Sequence, residues 1–297
     1  MNNLIYFIKK YNLEVVKITK IGDTTIIDTD YKKYVFKKEN IKTYDYLLSK
    51  GFNYFPNIID YNNEFIMFDY IENIDYNINE KIEDYIKTLS LLHLKTCYYE
   101  NINNLDFDSL YNEINLKIKN VTDYYNNLIN VIESKEYMSP AEYLVARNIT
   151  NIYSLLNYSS NNINKWHKSI NNKKRVVTLY NNGIDKMLKS KDGIYFTDFK
   201  NIKTDLPIYD LYNLFNRYYD IIDFKIVLNK YEKIFKLTEE EKELLFIMIS
   251  IPEIIIVDDK IKNIFLIKKQ INKIYILLNL LYSEKEEGTS THETKDN

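Results

Sequence analysis

The sequence predicts an α+β protein with a small N-terminal antiparallel-sheet lobe and a larger, mainly helical C-terminal lobe. Three observations lead there. Strand signals crowd residues 12–72, helical periodicity takes over from residue 73, and a second set of strand signals interrupts the helices at 175–201. The expected division is an N-terminal lobe at 1–72, a C-terminal lobe at 73–285 and a disordered polar tail at 286–297.

In the small lobe, "EVVKITKIGDTTIIDTDYKKYVFKKEN" holds three short β-branched runs separated by Gly22-Asp23 and Thr29-Asp30. A short helix follows in "TYDYLLSKGF", with Gly51 as its stop. "NIIDY" and "EFIMFDYI" read as two more strands. In the large lobe, "NEKIEDYIKTLSLLHLKTCYY" repeats apolar residues at helical spacing. A long amphipathic run from Leu105 to Met138 meets a capping box at Ser139-Pro140-Ala141-Glu142, so 107–170 reads as a helical hairpin. Helices follow in "IYDLYNLFNRYY", near 223–236, after a second capping box at Thr238–Glu241, and from about 257 to 284.

Composition narrows the function classes. The net charge is −2, from 40 basic and 42 acidic residues, too neutral for a dedicated nucleic-acid or membrane-surface protein. The single Cys97 excludes an internal disulfide framework, fits a reducing compartment, and reads as a buried small residue. With three His and one Cys scattered along the chain, no zinc site is expected. The 29 Tyr read as the codon bias of an AT-rich genome. The N-terminus lacks a signal peptide's apolar core, and the most apolar stretch, 244–257, is broken by Pro252 and Glu253. A soluble cytoplasmic protein without membrane insertion is the expectation.

The chemistry concentrates in "RVVTLYNNGIDKMLKSKDGIYFTDFKN", residues 175–201. Asp192-Gly193 is a hairpin-turn signal, and a β-hairpin over 186–199 would bring Asn182 beside Asp198. Phosphoryl transfer needs such proximity, with one carboxylate to orient the attacking hydroxyl and another to hold the Mg²⁺ on the phosphates. Lys37, ending the strand "YVFKK", is the candidate phosphate-binding lysine.

These residues, in this order, resemble the aminoglycoside phosphotransferase and choline kinase-like family, and most of all its branch of spore-coat kinase-like proteins. The resemblance rests on "YVFKK", "LSLLHLK", "TLYNNGIDKML", "IYFTDF" and "DLPIYDLYNLF", and spans nearly the whole chain. It implies a two-lobed protein kinase-like fold, with Lys37 binding nucleotide, Asp198 binding Mg²⁺ and Asp210 tying down the catalytic loop. The departures carry as much weight. Where the family has His-Gly-Asp this chain has Tyr180-Asn181-Asn182, and the metal-binding asparagine falls at or near Met187. Asparagine cannot accept a proton as a carboxylate does, and a thioether does not suit Mg²⁺. Gly22 stands without a Gly-x-Gly turn, and the following helix offers only Asp45 to orient Lys37.

The first functional reading is therefore a catalytically degenerate kinase-like protein (pseudokinase). It would act as a structural or interaction component, associated with the spore coat, and its partners would be other coat or sporulation proteins. That reading requires no cofactor, with ATP and Mg²⁺ as the candidates the resemblance supplies. The second is an ATP-dependent small-molecule phosphotransferase using Asp185 as its base. The third is a helical scaffold with no kinase-like small lobe, which fails if 12–72 form a sheet. His93 reads as a hydrogen-bonded core histidine, Asp210 as a helix cap, and His167 as packing and surface. The basic cluster 171–177 reads as solvated.

Overall fold

A computed structural model describes residues 2–101, 104–170, 173–258 and 260–290. Its N-terminal part is a five-stranded antiparallel sheet of order β1-β2-β3-β5-β4, from β1 (Val15–Ile21), β2 (Thr24–Thr29), β3 (Lys33–Lys37), β4 (Ile58–Tyr61) and β5 (Ile66–Asp69). The β-branched runs form the strands they predict, and the helical-scaffold alternative falls with them. The β1–β2 connection is the two-residue turn Gly22-Asp23, with Ile21 paired to Thr24 and Gly22 at φ +58°.

One face of the sheet buries Ile27, Phe36 and Met67 together with Phe65 and with Phe7 of a helix, α1 (Asn2–Lys10). That helix is absent from the reading above. Its signal is short: Leu4, Phe7 and Ile8 at helical spacing, with only Phe7 fully buried. Helix α2 (Ile41–Ser49) starts where the Asn40 side chain accepts the Lys42 N–H. It ends at Gly51, whose φ of +73° lets the Phe52 N–H return to Leu47 O.

The chain divides into two units. The first contains Met1–Tyr98, Val177–Asp205 and Lys230–Phe235; the second contains Tyr99–Val176, Leu206–Asn229 and Lys236–Asn297. The division does not fall at residue 72. Helix α3 (Ile78–Thr96) and the later strands join the N-terminal sheet in one unit. The reason lies in their bonding: Phe196 N–H donates to Tyr54 O at 2.8 Å, and Ile74 N–H to Lys189 O at 2.8 Å. His93 of α3 is fully buried, its Nδ1 2.6 Å from the Tyr231 hydroxyl. Cys97 caps the end of α3 and is partly exposed, not the buried residue its apolar neighbours predict.

Strand β6 (Tyr98–Asn101) begins where the chain enters the second unit. There, α4 (Asn104–Glu133) and α5 (Pro140–Ser169) form the helical hairpin. The Ser139 capping box is made in both directions, and Lys135 bonds Glu142 at 2.5 Å. The unit also holds α6 (Ile208–Tyr218), most of α7 (Phe224–Glu232), α8 (Glu239–Ile249) and α9 (Ile261–Ser290). Its core includes Val145, Ile152, Leu155, Ile163 and Trp166 of α5, and Trp166 Nε1–H donates to Glu240 O. Asp210 is buried in the first turn of α6, His167 stacks on Tyr111 and meets Asp108, and no described helix is long and apolar enough to cross a membrane.

Two expectations change here. Within the basic cluster 171–177, residues 171 and 172 lie outside the described residues, and Arg175 is not solvated. Its guanidinium bonds both oxygens of the buried Glu241 in a two-pronged pair. The polar run from 286 continues α9 to Ser290 instead of starting a disordered tail, and 291–297 lie outside the described residues.

Phe36 carries the sheet core immediately before Lys37, so truncating it tests how far the core supports that lysine. Phe36→Ala should lower stability by about 3–5 kcal/mol in urea unfolding followed by circular dichroism. A loss below about 1 kcal/mol would show that the core does not depend on it.

Candidate functional site

All the site residues lie in the first unit. Strand β7 (Lys173–Leu179) enters it at Val177, and Val177–Leu179 pair with β10 (Lys203–Asp205). The loop Tyr180–Gly183 leads through one 3₁₀ turn (Ile184–Lys186) into β8 (Met187–Lys189), which pairs with β9 (Ile194–Phe196). The hairpin closes at Ser190–Gly193, where Ser190 N–H donates to Gly193 O at 2.8 Å. This brings Asn182 and Asp198 together: the Asn182 side-chain amide donates to Asp198 O at 2.8 Å and to Tyr180 O at 3.1 Å. Both amide hydrogens are thus given to backbone carbonyls, while Asn182 O accepts from the Tyr85 hydroxyl at 2.7 Å.

The rest of the loop is built on the same economy. Asn181 takes φ +56°, a left-handed conformation that asparagine and aspartate tolerate better than most side-chain-bearing residues. Tyr180 is fully buried and stacks on Phe196 with centroids 3.9 Å apart. Its hydroxyl donates to Lys186 O at 2.9 Å. Burial pushes that phenol well above its ordinary range, so it stays protonated. Met187 is buried, paired with Phe196 across the hairpin, and offers nothing to a metal.

Lys37 ends β3 with its ammonium 3.7 Å from the Glu39 carboxylate. Glu39 is the orienting acid that the reading above missed by looking on the following helix, where Asp45 is exposed. It sits two residues past the lysine, just beyond the end of the strand. Glu39 also accepts from the Tyr44 hydroxyl of α2 and from the Phe199 N–H at 3.4 Å. One carboxylate therefore joins the lysine strand, the next helix and the Asp198-Phe199 turn. Burial lowers the Lys37 pKa, opposed by Glu39 and Asp198. Burial raises Glu39, opposed chiefly by Lys37.

Lys37, Asp185 and Asp198 all line one open cavity of about 330 Å³. Ile26 and Val35, cross-strand partners in β2 and β3, line it with Phe68 and Leu188. Asp185 is exposed, with its carboxylate 3.9 Å from Lys186 Nζ. Asp198 Oδ1 accepts the Lys200 N–H at 3.2 Å. Among the described residues, no three His, Cys, Asp or Glu side chains are grouped to hold a metal ion.

No family model matches the chain, and no curated protein matches it in sequence. Solved structures do match. An aminoglycoside phosphotransferase from Alicyclobacillus acidocaldarius superposes with a TM-score of 0.66 at 11% identity, over 94% of this chain and 95% of that one. The AMP-bound spectinomycin phosphotransferase APH(9)-Ia gives 0.52 at 14% identity, over 93% and 98%. The same enzyme with ADP and spectinomycin gives 0.50 at 12%, over 93% and 97%. The chain adopts the protein kinase-like fold, as an antiparallel N-terminal sheet followed by a mainly helical C-terminal part.

A buried ion pair costs most when one member is removed. Lys37→Met should destabilise by about 3 kcal/mol near neutral pH, whereas Lys37→Met/Glu39→Gln recovers most of that loss. The pH sign follows from burial. Without Lys37, nothing in the pair opposes the rise of Glu39, so the folded form prefers the neutral acid. The defect grows as pH rises above the ordinary carboxyl range and is smaller at pH 5 than at pH 7.5. Equal, pH-independent losses in the single and double variants would contradict the pairing.

Proposed function

We propose that this protein is a kinase-fold domain that has lost phosphoryl transfer and keeps a small-molecule pocket at the corresponding site. One observation carries the reading: Asn182, where the family pattern places the catalytic aspartate, spends both amide hydrogens on the carbonyls of Tyr180 and Asp198. A residue in that place must accept a proton from the attacking hydroxyl, and an amide bound this way cannot.

The residues also fit Mg²⁺ poorly. Mg²⁺ wants oxygen donors in near-octahedral order, and the family's second metal position is the buried thioether of Met187. Asp198 is left as the one carboxylate at a position the family pattern assigns to metal. Phosphate binding by backbone N–H groups is equally thin, because the β1–β2 turn is only Gly22-Asp23. The pocket persists, with Lys37 oriented by Glu39 and apolar walls from Ile26, Val35, Phe68 and Leu188. A structural or interaction role in the spore coat, with coat proteins as partners, belongs to the same reading and rests on the motif resemblance alone.

One observation favours a second reading. Asp185 lines the same cavity as Lys37 and Asp198, the placement an unorthodox base in an ATP-dependent phosphotransferase would need. Loss of an observed transfer activity in Asp185→Asn would establish it.

Two measurements test the first reading. Incubation with radiolabelled ATP, Mg²⁺ and a panel of aminoglycosides, spectinomycin and choline should give no transfer above blank; transfer abolished by Asp198→Ala would overturn it. Asn182→Asp should not create activity and should cost about 1–3 kcal/mol, since a carboxylate facing two carbonyls loses both hydrogen bonds. An active Asn182→Asp variant of unchanged stability would show that the loop was poised for catalysis.

A further inference from the structure

Strand β1 ends the N-terminal sheet, and no described strand pairs with its outer side. Four of its seven side chains are apolar and open to water: Val15, Val16, Ile18 and Ile21 are exposed by 37, 65, 55 and 63%. Among the described residues, none outside the β1–β2 pair hydrogen-bonds a residue of this strand. A proline-free edge of this kind is a template for another strand.

The turn fixes which groups face outward. Ile21 and Thr24 flank the two-residue turn, so they bond each other. The pairs alternate from there. Thr19 bonds toward β2, opposite Ile26, while Ile18 and Lys20 turn their N–H and C=O groups to the free edge. The alternation reaches Lys17, beyond which the register shifts.

The free edge is self-complementary. Outward-facing residues lie opposite one another in an antiparallel pair, so a second β1 can meet this one with Ile18 on a two-fold axis. Ile18 then faces Ile18, Lys20 faces Val16, Lys17 faces Thr19, and Ile21 faces Val15. No lysine lies opposite a lysine, and Glu14, just before the strand, falls diagonal to Lys20 of the second copy. Sliding one copy by two residues is worse either way. One direction sets Lys17 against Lys17, and the other sets Ile18 and Ile21 against lysines. Carboxylates of the same sheet temper the two lysines. Asp28 lies opposite Lys17, and Asp23 is held charged by Lys200, with Lys38 and Lys20 adding to the effect. Ile18 shares a face with its partner Ile27, so the contact extends the apolar face that α1 covers.

We propose that β1 pairs antiparallel with β1 of a second copy of this chain, joining two five-stranded sheets edge to edge about Ile18. The contact is one strand wide, at the small end of specific interfaces. The dimer is therefore weak and reversible, with a Kd on the order of 10–100 µM.

Sedimentation velocity on the full chain, from about 5 to 500 µM, should show monomer passing to dimer. Ile18→Lys changes an exposed side chain and sets two lysines on the axis, and should weaken the dimer at least about tenfold. Oxidative cross-linking in a Cys97→Ser background reads the register. Ile18→Cys should give a disulfide-linked dimer, because facing residues lie about 5.5 Å apart. Lys17→Cys and Thr19→Cys, each two residues out of step with its own copy, should stay unlinked. The proposal falls if the chain stays monomeric throughout that range, if Ile18→Lys leaves a dimer intact, or if Ile18→Cys fails to cross-link.

Discussion

The Asn182 side chain ties the end of β7 to the end of β9, and the candidate site takes its form from that tie. Its amide gives one hydrogen to Tyr180 O and the other to Asp198 O, while Tyr85 of α3 holds its own carbonyl. Asp198 is placed by a hydrogen bond to its backbone, which leaves its carboxylate facing the cavity with Lys37. A charged aspartate at 182 would face two carbonyl oxygens, an arrangement that costs a buried acceptor its partners. The loop is thus self-consistent with an amide at this position, whose two hydrogens both find acceptors. The neighbouring residues fix the same loop: Tyr180 stacks on Phe196, and Asn181 adopts a left-handed backbone conformation.

Charge compensation is the second organising feature. Removing Lys37 and Glu39 from water costs both their charged forms, and each is held charged chiefly by the other. Glu39 then spreads this constraint, reaching Tyr44 and the Phe199 N–H with its second oxygen. Lys37, Tyr44 and the Phe199 N–H are thereby held on one carboxylate.

Much of this was readable from the sequence where the signals are local. The β-branched runs, the Asp192-Gly193 turn and the two capping boxes each lie within a few residues and each form as expected. The hairpin register even places Asn182 beside Asp198. The misses are tertiary or depend on a wrong frame. Glu39 lies only two residues past Lys37, but the family pattern directs attention to the next helix. Helix α1 shows only three apolar positions, too few to stand out. Arg175 reads as part of a solvated cluster because its partner Glu241 lies 66 residues away, and Asp23 finds Lys200 across 177 residues. Cys97 sits among apolar letters, yet falls at a helix end where the chain turns outward.

The central claim is that the Asn182 amide is a structural clamp and not a vestige waiting for substrate. Side-chain amide exchange measured by NMR on asparagine-labelled protein addresses it directly, with the Asn182 pair identified by its loss in Asn182→Ala. The account predicts two amide protons that exchange far more slowly than those of exposed asparagines and do not move when ATP and Mg²⁺ are added. Fast exchange, or a large shift on adding ATP and Mg²⁺, would contradict it.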